Sequence, residues 1–236
     1  KLNKHLTNME KPINHRYVHF GPVLAATTVE SDLIKKLLDK GNKTTESHVS
    51  HLAGHLEVEN KFTVDDIVWF VDNFKKYFVS YFKKLQTQDD NTFVYGMTPF
   101  NRVLLNQLWI NYMQKNEFNP PHRHGGAFSF VLYLDVPKSI AQENVDFKGQ
   151  GVGPGSVSFY YGEEQVGIKT SHAIVPVTGD LWMFPASLKH MVPPFKSDVT
   201  RISVSGNFFI TDTLNKGVPI QSGEFLINNQ EETTNA

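Results

Sequence analysis

The sequence predicts a mainly β protein, a sandwich or barrel of short strands braced by N-terminal helices. Three observations predict it. After residue 100 the apolar residues alternate with period two in several short runs. Turn residues separate those runs, and the one long helical pattern lies before them. The strand-like runs are 108–113, 128–134, 157–161, 181–184 and 202–209. The breaks between them fall at Pro120-Pro121, Gly151-Val-Gly-Pro-Gly155, Thr178-Gly-Asp180 and Pro193-Pro194. Many short strands without intervening helices argue for an all-β sandwich or barrel.

The helices come first in the chain. Ser31 is placed to cap a helix whose apolar positions are Leu33, Ile34, Leu37 and Leu38, with Gly41 as its stop. Thr63 and Asp66 form a capping box before the clearest helix. There Ile67, Phe70, Val71, Phe74, Tyr77, Phe78, Tyr81 and Leu85 recur at helical spacing, with Lys75, Lys76, Lys83 and Lys84 toward solvent. An aromatic stripe of this kind is core, and it is expected to brace the outside of a sheet. Residues 1–100 therefore read as an extension rather than an independent domain, 101–228 as the β core, and 229–236 as a polar tail. Residues 1–20 read as loosely held, and 138–156, rich in Gly and polar groups, as a mobile flap.

Composition excludes several classes. The chain has 236 residues, 40% of them hydrophobic, which suits one large globular domain. A net charge of −1 gives no electrostatic footprint for nucleic acid or a membrane surface. There is no cysteine, so disulfides and thiolate metal sites are out, and a reducing cytosol is the default compartment. No apolar run nears the roughly 20 residues of a membrane span, and no signal peptide is visible. The chain begins with Lys rather than Met, which points to a trimmed start.

The chemistry centres on Asn119-Pro-Pro-His122-Arg-His124-Gly-Gly, which runs straight into a strand. On an extended chain, residues two apart share a face, so His122 and His124 can reach one ion. His190 would join them from a distant strand. Imidazole suits iron, copper, nickel and zinc alike, so ligand type alone leaves the metal open. Eleven residues after His190 comes Arg201, which shares a strand face with Ser203 and Ser205. An inward arginine needs an anion. Its guanidinium can fork onto a carboxylate, with Ser203 adding a hydrogen bond, or it can form a structural salt bridge with Asp180 or a Glu. Tyr112 and Tyr133 are placed either to donate to a bound carboxylate or to fill the core. His48, His51 and His55 would share a helix face, but no carboxylate nearby would orient them, and they read as exposed imidazoles.

These motifs resemble the iron(II)- and 2-oxoglutarate-dependent oxygenases, in particular a family common in marine bacteriophages and bacteria. The resemblance rests on Trp109-Ile-Asn111, Asn119 to His124, Ser129-Phe-Val-Leu-Tyr133-Leu134, Gly179-Asp-Leu-Trp-Met-Phe-Pro-Ala-Ser-Leu-Lys-His190 and Arg201-Ile-Ser-Val-Ser-Gly-Asn207, in that order. It implies a double-stranded β-helix (jelly-roll) core and two cofactors, Fe(II) and 2-oxoglutarate. It implies metal ligation by His122 and His190, and a cosubstrate pocket of Arg201, Ser203, Tyr112 and Tyr133. The implied activity is that of a dioxygenase, using O2 to oxidise a substrate while 2-oxoglutarate becomes succinate and CO2. A cytoplasmic enzyme is implied, in the host cytoplasm if phage-encoded.

One departure stands out. The superfamily usually carries Asp or Glu where this chain has His124, completing the facial triad typical of such iron sites. The two-residue spacing favours His124 as the third metal ligand beside His122 and His190; the alternatives are that it stands aside for water or yields to a remote acid such as Asp135, Asp146 or Asp180. Two other readings compete. One is a cupin-like enzyme using another metal, although Gly125-Gly-Ala-Phe-Ser129 lacks the expected Glu. The other is a non-catalytic jelly-roll phage or binding protein, which would not require the Arg201-x-Ser203 pair.

Overall fold

The computed structural model describes residues 21–49, 53–86, 99–212 and 219–228. Residues 1–20, His51 and the tail 229–236 lie outside the described residues. Two antiparallel sheets enclose a cavity. The larger has the order β1 (Ala25–Thr28), β8 (Asp180–Pro185), β5 (Phe128–Asp135), β10 (Arg201–Ile210), β3 (Arg102–Met113) and β11 (Glu224–Leu226), and β2 (Glu59–Lys61) also pairs with β3. The smaller runs β4 (Asn119–His122), β9 (Lys189–Val192), β6 (Val157–Tyr160) and β7 (Ser171–Ile174). This is a double-stranded β-helix, as the resemblance implies.

Period-two alternation makes the large sheet two-faced. On its outer face Phe130, Leu132, Val204, Phe208, Leu108 and Ile110 form one core with the helices α1 (Ser31–Gly41) and α2 (Val64–Gln86). Phe70 of α2 stacks on Phe130 at 5.4 Å between centroids, and Phe78 tilts against Phe208 at 4.7 Å. Such aromatic pairs add about 0.5–1.5 kcal/mol each beyond the area they bury. The predicted stripe is seen with one exchange: Phe82 is fully buried, while Tyr77 is only partly covered.

The capping box at α2 forms. Thr63 Oγ1 accepts from the Asp66 backbone N–H at 3.2 Å, and Asp66 also takes Lys40 of α1 at 2.9 Å, tying the two helices together. α1 starts differently from expectation: Ser31 is already helical, and the cap position is Glu30, whose side chain makes no capping bond. Gly41 is the last residue of α1, where a Cβ would meet Ile110 at 2.3 Å. The end of the helix can therefore lie directly on the sheet.

The stretch expected as a flap is partly helical. Its first half is α3 (Lys138–Asp146), with Ile140 fully buried. Glu143 accepts from the backbone N–H groups of Lys196 and Ser197, which pins the helix to the loop before β10. The polar composition had pointed to a loop, but a single buried isoleucine and one carboxylate anchor the helix. Among the described residues no helix is long and apolar enough to cross a membrane.

Truncating Phe130 removes contacts to Phe70, Phe78 and Phe208 at once. Phe130→Ala is expected to lower unfolding free energy by about 3–5 kcal/mol, read from urea denaturation of both proteins.

Candidate active site

The inner face of the large sheet, with the facing strands of the small one, lines a cavity of about 320 Å³. β3 contributes Gln107, Trp109, Asn111 and Met113; β10 contributes Arg201, Ser203, Ser205 and Asn207. Both sets follow from alternation along a strand. The same parity settles Tyr112, which does not line the cavity. It projects to the helical side, and its hydroxyl donates to Asn42 Oδ1 at 2.9 Å. The expectation that Tyr112 reaches a cosubstrate is therefore corrected, and its neighbour Asn111 occupies the inward position. Tyr133 does line the cavity and is only 1% exposed.

His122, His124 and His190 converge. One ring nitrogen from each lies within 4.8 Å of the other two. Strand pairing does part of this, since β4 and β9 set His122 directly opposite His190. His124 lies just beyond β4, where its backbone N–H donates to Ala186 O at 2.9 Å and its ring stacks on Trp109 at 5.6 Å. Gly126, at φ 94°, then lets the chain turn against Phe208, whose carbonyl would lie 2.7 Å from any Cβ there.

The rings are pre-set for ligation. His122 Nδ1 lies 2.7 Å from Pro120 O and His190 Nδ1 2.9 Å from Leu188 O, so each Nδ1–H donates and each Nε2 offers its lone pair. His124 Nε2 and His190 Nε2 are 3.1 Å apart. Two imidazoles bound at right angles to an ion of zinc-like radius, each at ~2.1 Å, would hold their nitrogens ~3.0 Å apart. Burial, with repulsion from the neighbouring rings, pushes His124 down to about 3 and His190 down to about 4. Burial also holds His122 below the usual histidine range. All three are thus neutral near pH 7, the form that binds a metal. The cluster contains no carboxylate. Asp135, Asp146 and Asp180 all stand outside the cavity lining, so none of them takes the vacant acidic role.

Arg201 is 4% exposed. Its Nη1 donates to Gly155 O at 2.8 Å and its Nη2 to Met113 Sδ at 2.9 Å, while Nε has no partner. Its guanidinium carbon lies 5.6 Å from the Tyr133 ring centre. Among the described residues no carboxylate pairs with it, so the structural salt bridge to Asp180 or a Glu is absent. A buried guanidinium with a weak sulfur acceptor and an orphaned N–H calls for an anion. Ser203, 6% exposed, lies two residues along the same face.

Sequence reasoning did not assign several lining residues to the site. Glu59 and His48 come from the N-terminal segment, and Trp109 and Asn111 from β3. His51 lies outside the described residues, and neither His48 nor His55 is in an α-helix. Isolated bridges tie Ser47 to Asn60 and His55 to Phe118 instead. His48 is buried rather than exposed, with its ring 5.8 Å from that of Trp109. Parity would have found Trp109 and Asn111. Nothing local in the sequence marks Glu59 or His48 as cavity residues.

Fold and site together define a jelly-roll protein with a buried three-imidazole cluster and a buried arginine in one cavity. A family model described as "Putative 2OG-Fe(II) oxygenase" matches residues 107–207. The matched segment carries all three histidines and Arg201. Among solved structures, the chain is similar to an oxidoreductase of the 2OG-Fe(II) oxygenase family from Burkholderia pseudomallei, at 16% identity and a TM-score of 0.33. That match covers 45% of this chain and 44% of that one, so the chain spans less than half of that relative's length. A prolyl-4-hydroxylase from Pseudomonas putida is similar at 14% identity and a TM-score of 0.46, covering 79% of this chain and 92% of that one. HygX from Streptomyces hygroscopicus, solved with nickel and 2-oxoglutarate bound, is similar at 10% identity and a TM-score of 0.44, covering 80% and 83%. Among curated proteins, none matches the chain.

Replacing His122, His124 or His190 singly by Ala is expected to weaken Co(II) or Ni(II) binding by more than the ~10–100-fold that loss of an outer partner costs. Calorimetric titration of the metal-free protein checks this. A His124→Ala variant that binds metal as tightly as the parent would remove His124 from the ligand set.

Proposed function

We propose that the protein is an Fe(II)- and 2-oxoglutarate-dependent oxygenase in which His122, His124 and His190 hold the metal and Arg201 holds the cosubstrate. The observation that carries this reading is the pairing of two incomplete sites in one cavity. Three neutral imidazole nitrogens are within reach of a single ion. A buried arginine keeps an unpartnered N–H, and among the described residues no carboxylate pairs with it. A dicarboxylate that chelates an ion at one end and meets a guanidinium at the other satisfies both.

Bound Fe(II) and 2-oxoglutarate would supply an O2-driven oxidation of a substrate C–H bond, with succinate and CO2 as co-products. The chain's own part is binding and orientation. Arg201 anchors the far carboxylate through charge-assisted hydrogen bonds, and Ser203 lies on the same face to add one. Tyr133 walls the site beside Arg201, and its hydroxyl stays protonated, since burial pushes it up to about 12. Phe159 and Phe184 pack on His190, with ring centres 5.8 and 5.0 Å away, and help keep water from the metal ligands. Tyr112 has no part in it.

An all-histidine ligand set leaves the metal one unit of charge more positive than a set with a carboxylate, which is expected to shift its redox potential. A cytosol supplying 2-oxoglutarate and reduced iron is the compartment this reading implies. Cupin-like use of another metal, or loss of catalysis in a binding module, would leave the buried Arg201 unexplained.

Incubation with Fe(II), 2-oxoglutarate and O2 is expected to yield succinate, even without a substrate, through uncoupled turnover. Absence of both succinate and 2-oxoglutarate binding would refute the reading. Arg201→Lys keeps the charge but loses the fork. It is expected to weaken 2-oxoglutarate binding by about 10–100-fold, the worth of a lost charge-assisted bond.

A further inference from the structure

Glu59 has no role in the site described so far. It opens β2, a three-residue strand on the edge of β3, in register with Asn111. Asn111 in turn faces Ser203 of β10, and Ser203 faces Tyr133 of β5. Tyr133, Ser203, Asn111 and Glu59 therefore form one row across four strands, all lining the cavity. Neighbouring strands are ~4.8 Å apart, so Glu59 stands a few strand spacings to the side of Tyr133. Beside it, His48 and Trp109 form a wall that continues to His124, with successive ring centres 5.8 and 5.6 Å apart.

The Glu59 carboxyl is 2% exposed, and its Oε2 has no hydrogen-bond partner. Among the described residues no lysine or arginine pairs with it. Strand pairing uses only its backbone, whose carbonyl accepts from the His48 N–H at 2.8 Å. A carboxyl kept only for packing would bury an unsatisfied oxygen at a cost with no return. A glutamine or a leucine would serve the sheet better.

We propose that Glu59 is the specificity residue for the oxidised substrate, and that this substrate presents an ammonium or guanidinium group to it. The inference rests on the oxygenase reading for the word substrate, but the cation site itself does not depend on it. Trp109 and Leu56 give the cavity apolar surface for the carbon chain that bears the nitrogen, and Asn111 lies beside Glu59 to share its N–H groups. The two charged groups are then distinct: Arg201, two residues before Ser203 on β10, takes the anionic cosubstrate, and Glu59, at the end of the row, takes the cation. With no ligand, burial pushes the Glu59 carboxyl up to about 8, and a positively charged ligand favours its ionised form.

The test uses the full chain loaded with Co(II) and 2-oxoglutarate, titrated calorimetrically with n-butylammonium and with butylguanidinium. Butyramide and butyrate serve as neutral and anionic controls. At least one cation is expected to bind at least tenfold more tightly than either control. Glu59→Gln, nearly isosteric, is expected to erase that preference while leaving 2-oxoglutarate affinity within about twofold of the parent. Retained 2-oxoglutarate binding also shows that the variant is folded. Cations that bind no better than butyramide overturn the proposal. So does a Glu59→Gln variant that keeps the preference or loses 2-oxoglutarate as well. If the parent fails to bind 2-oxoglutarate, the oxygenase reading falls, and the cation preference still decides the role of Glu59.

Discussion

A guanidinium buried with no counter-charge among the described residues is the constraint on which the rest of this structure depends. Arg201 sits at the start of β10, in register with Met113, and is held by a backbone carbonyl and a thioether. Neither neutralises it. Burying an ion away from water costs several kcal/mol unless an opposite charge meets it. The fold accepts that cost at one point, inside a cavity shared with three neutral imidazoles. A bound dicarboxylate is the simplest partner that makes both features intelligible together.

The architecture serves this arrangement by separating two jobs across one sheet. Its outer face is packed by α1 and α2 through phenylalanine contacts, which fix β3, β5 and β10 as a rigid floor. Its inner face is left polar, with serines, asparagines and the arginine in register across strands. The small sheet then brings His122 and His190 opposite one another, and the turn after β4 swings His124 onto Trp109. A rigid floor matters because ligand and anchor positions must hold to fractions of an ångström for chemistry to follow. Glu143 of α3 ties that helix to the loop before β10.

Much of this was legible in the sequence because it is periodic or local. Alternation exposed the strands, and helical spacing exposed α2 and its capping box. Two-residue spacing placed His122 and His124 near each other, and alternation put Arg201 and Ser203 on one face. The failures are also physical. The resemblance implies Tyr112 in the cosubstrate pocket, whereas its parity with Leu108 and Ile110 puts it among the helices. The segment 138–146 has little apolar patterning, so its helix depends on Ile140 and Glu143 finding tertiary partners. Glu59 and His48 reach the cavity only through pairing of β2 with β3, a contact some fifty residues distant in the chain that no local pattern encodes. The absence of an acid at position 124 was plain from the sequence. That the neighbouring aspartates stay outside the cavity was not, because it depends on where the loops run.

The central claim is that Arg201 waits for the distal carboxylate of a keto acid. The most direct measurement compares 2-oxoglutarate with 2-oxobutyrate, which keeps the chelating end and lacks that carboxylate, on Co(II)-loaded protein and on Arg201→Met. The account predicts much tighter binding of 2-oxoglutarate by the parent and near-equal, weak binding of both acids by the variant. Equal affinities in the parent, or an unchanged preference in the variant, would contradict it.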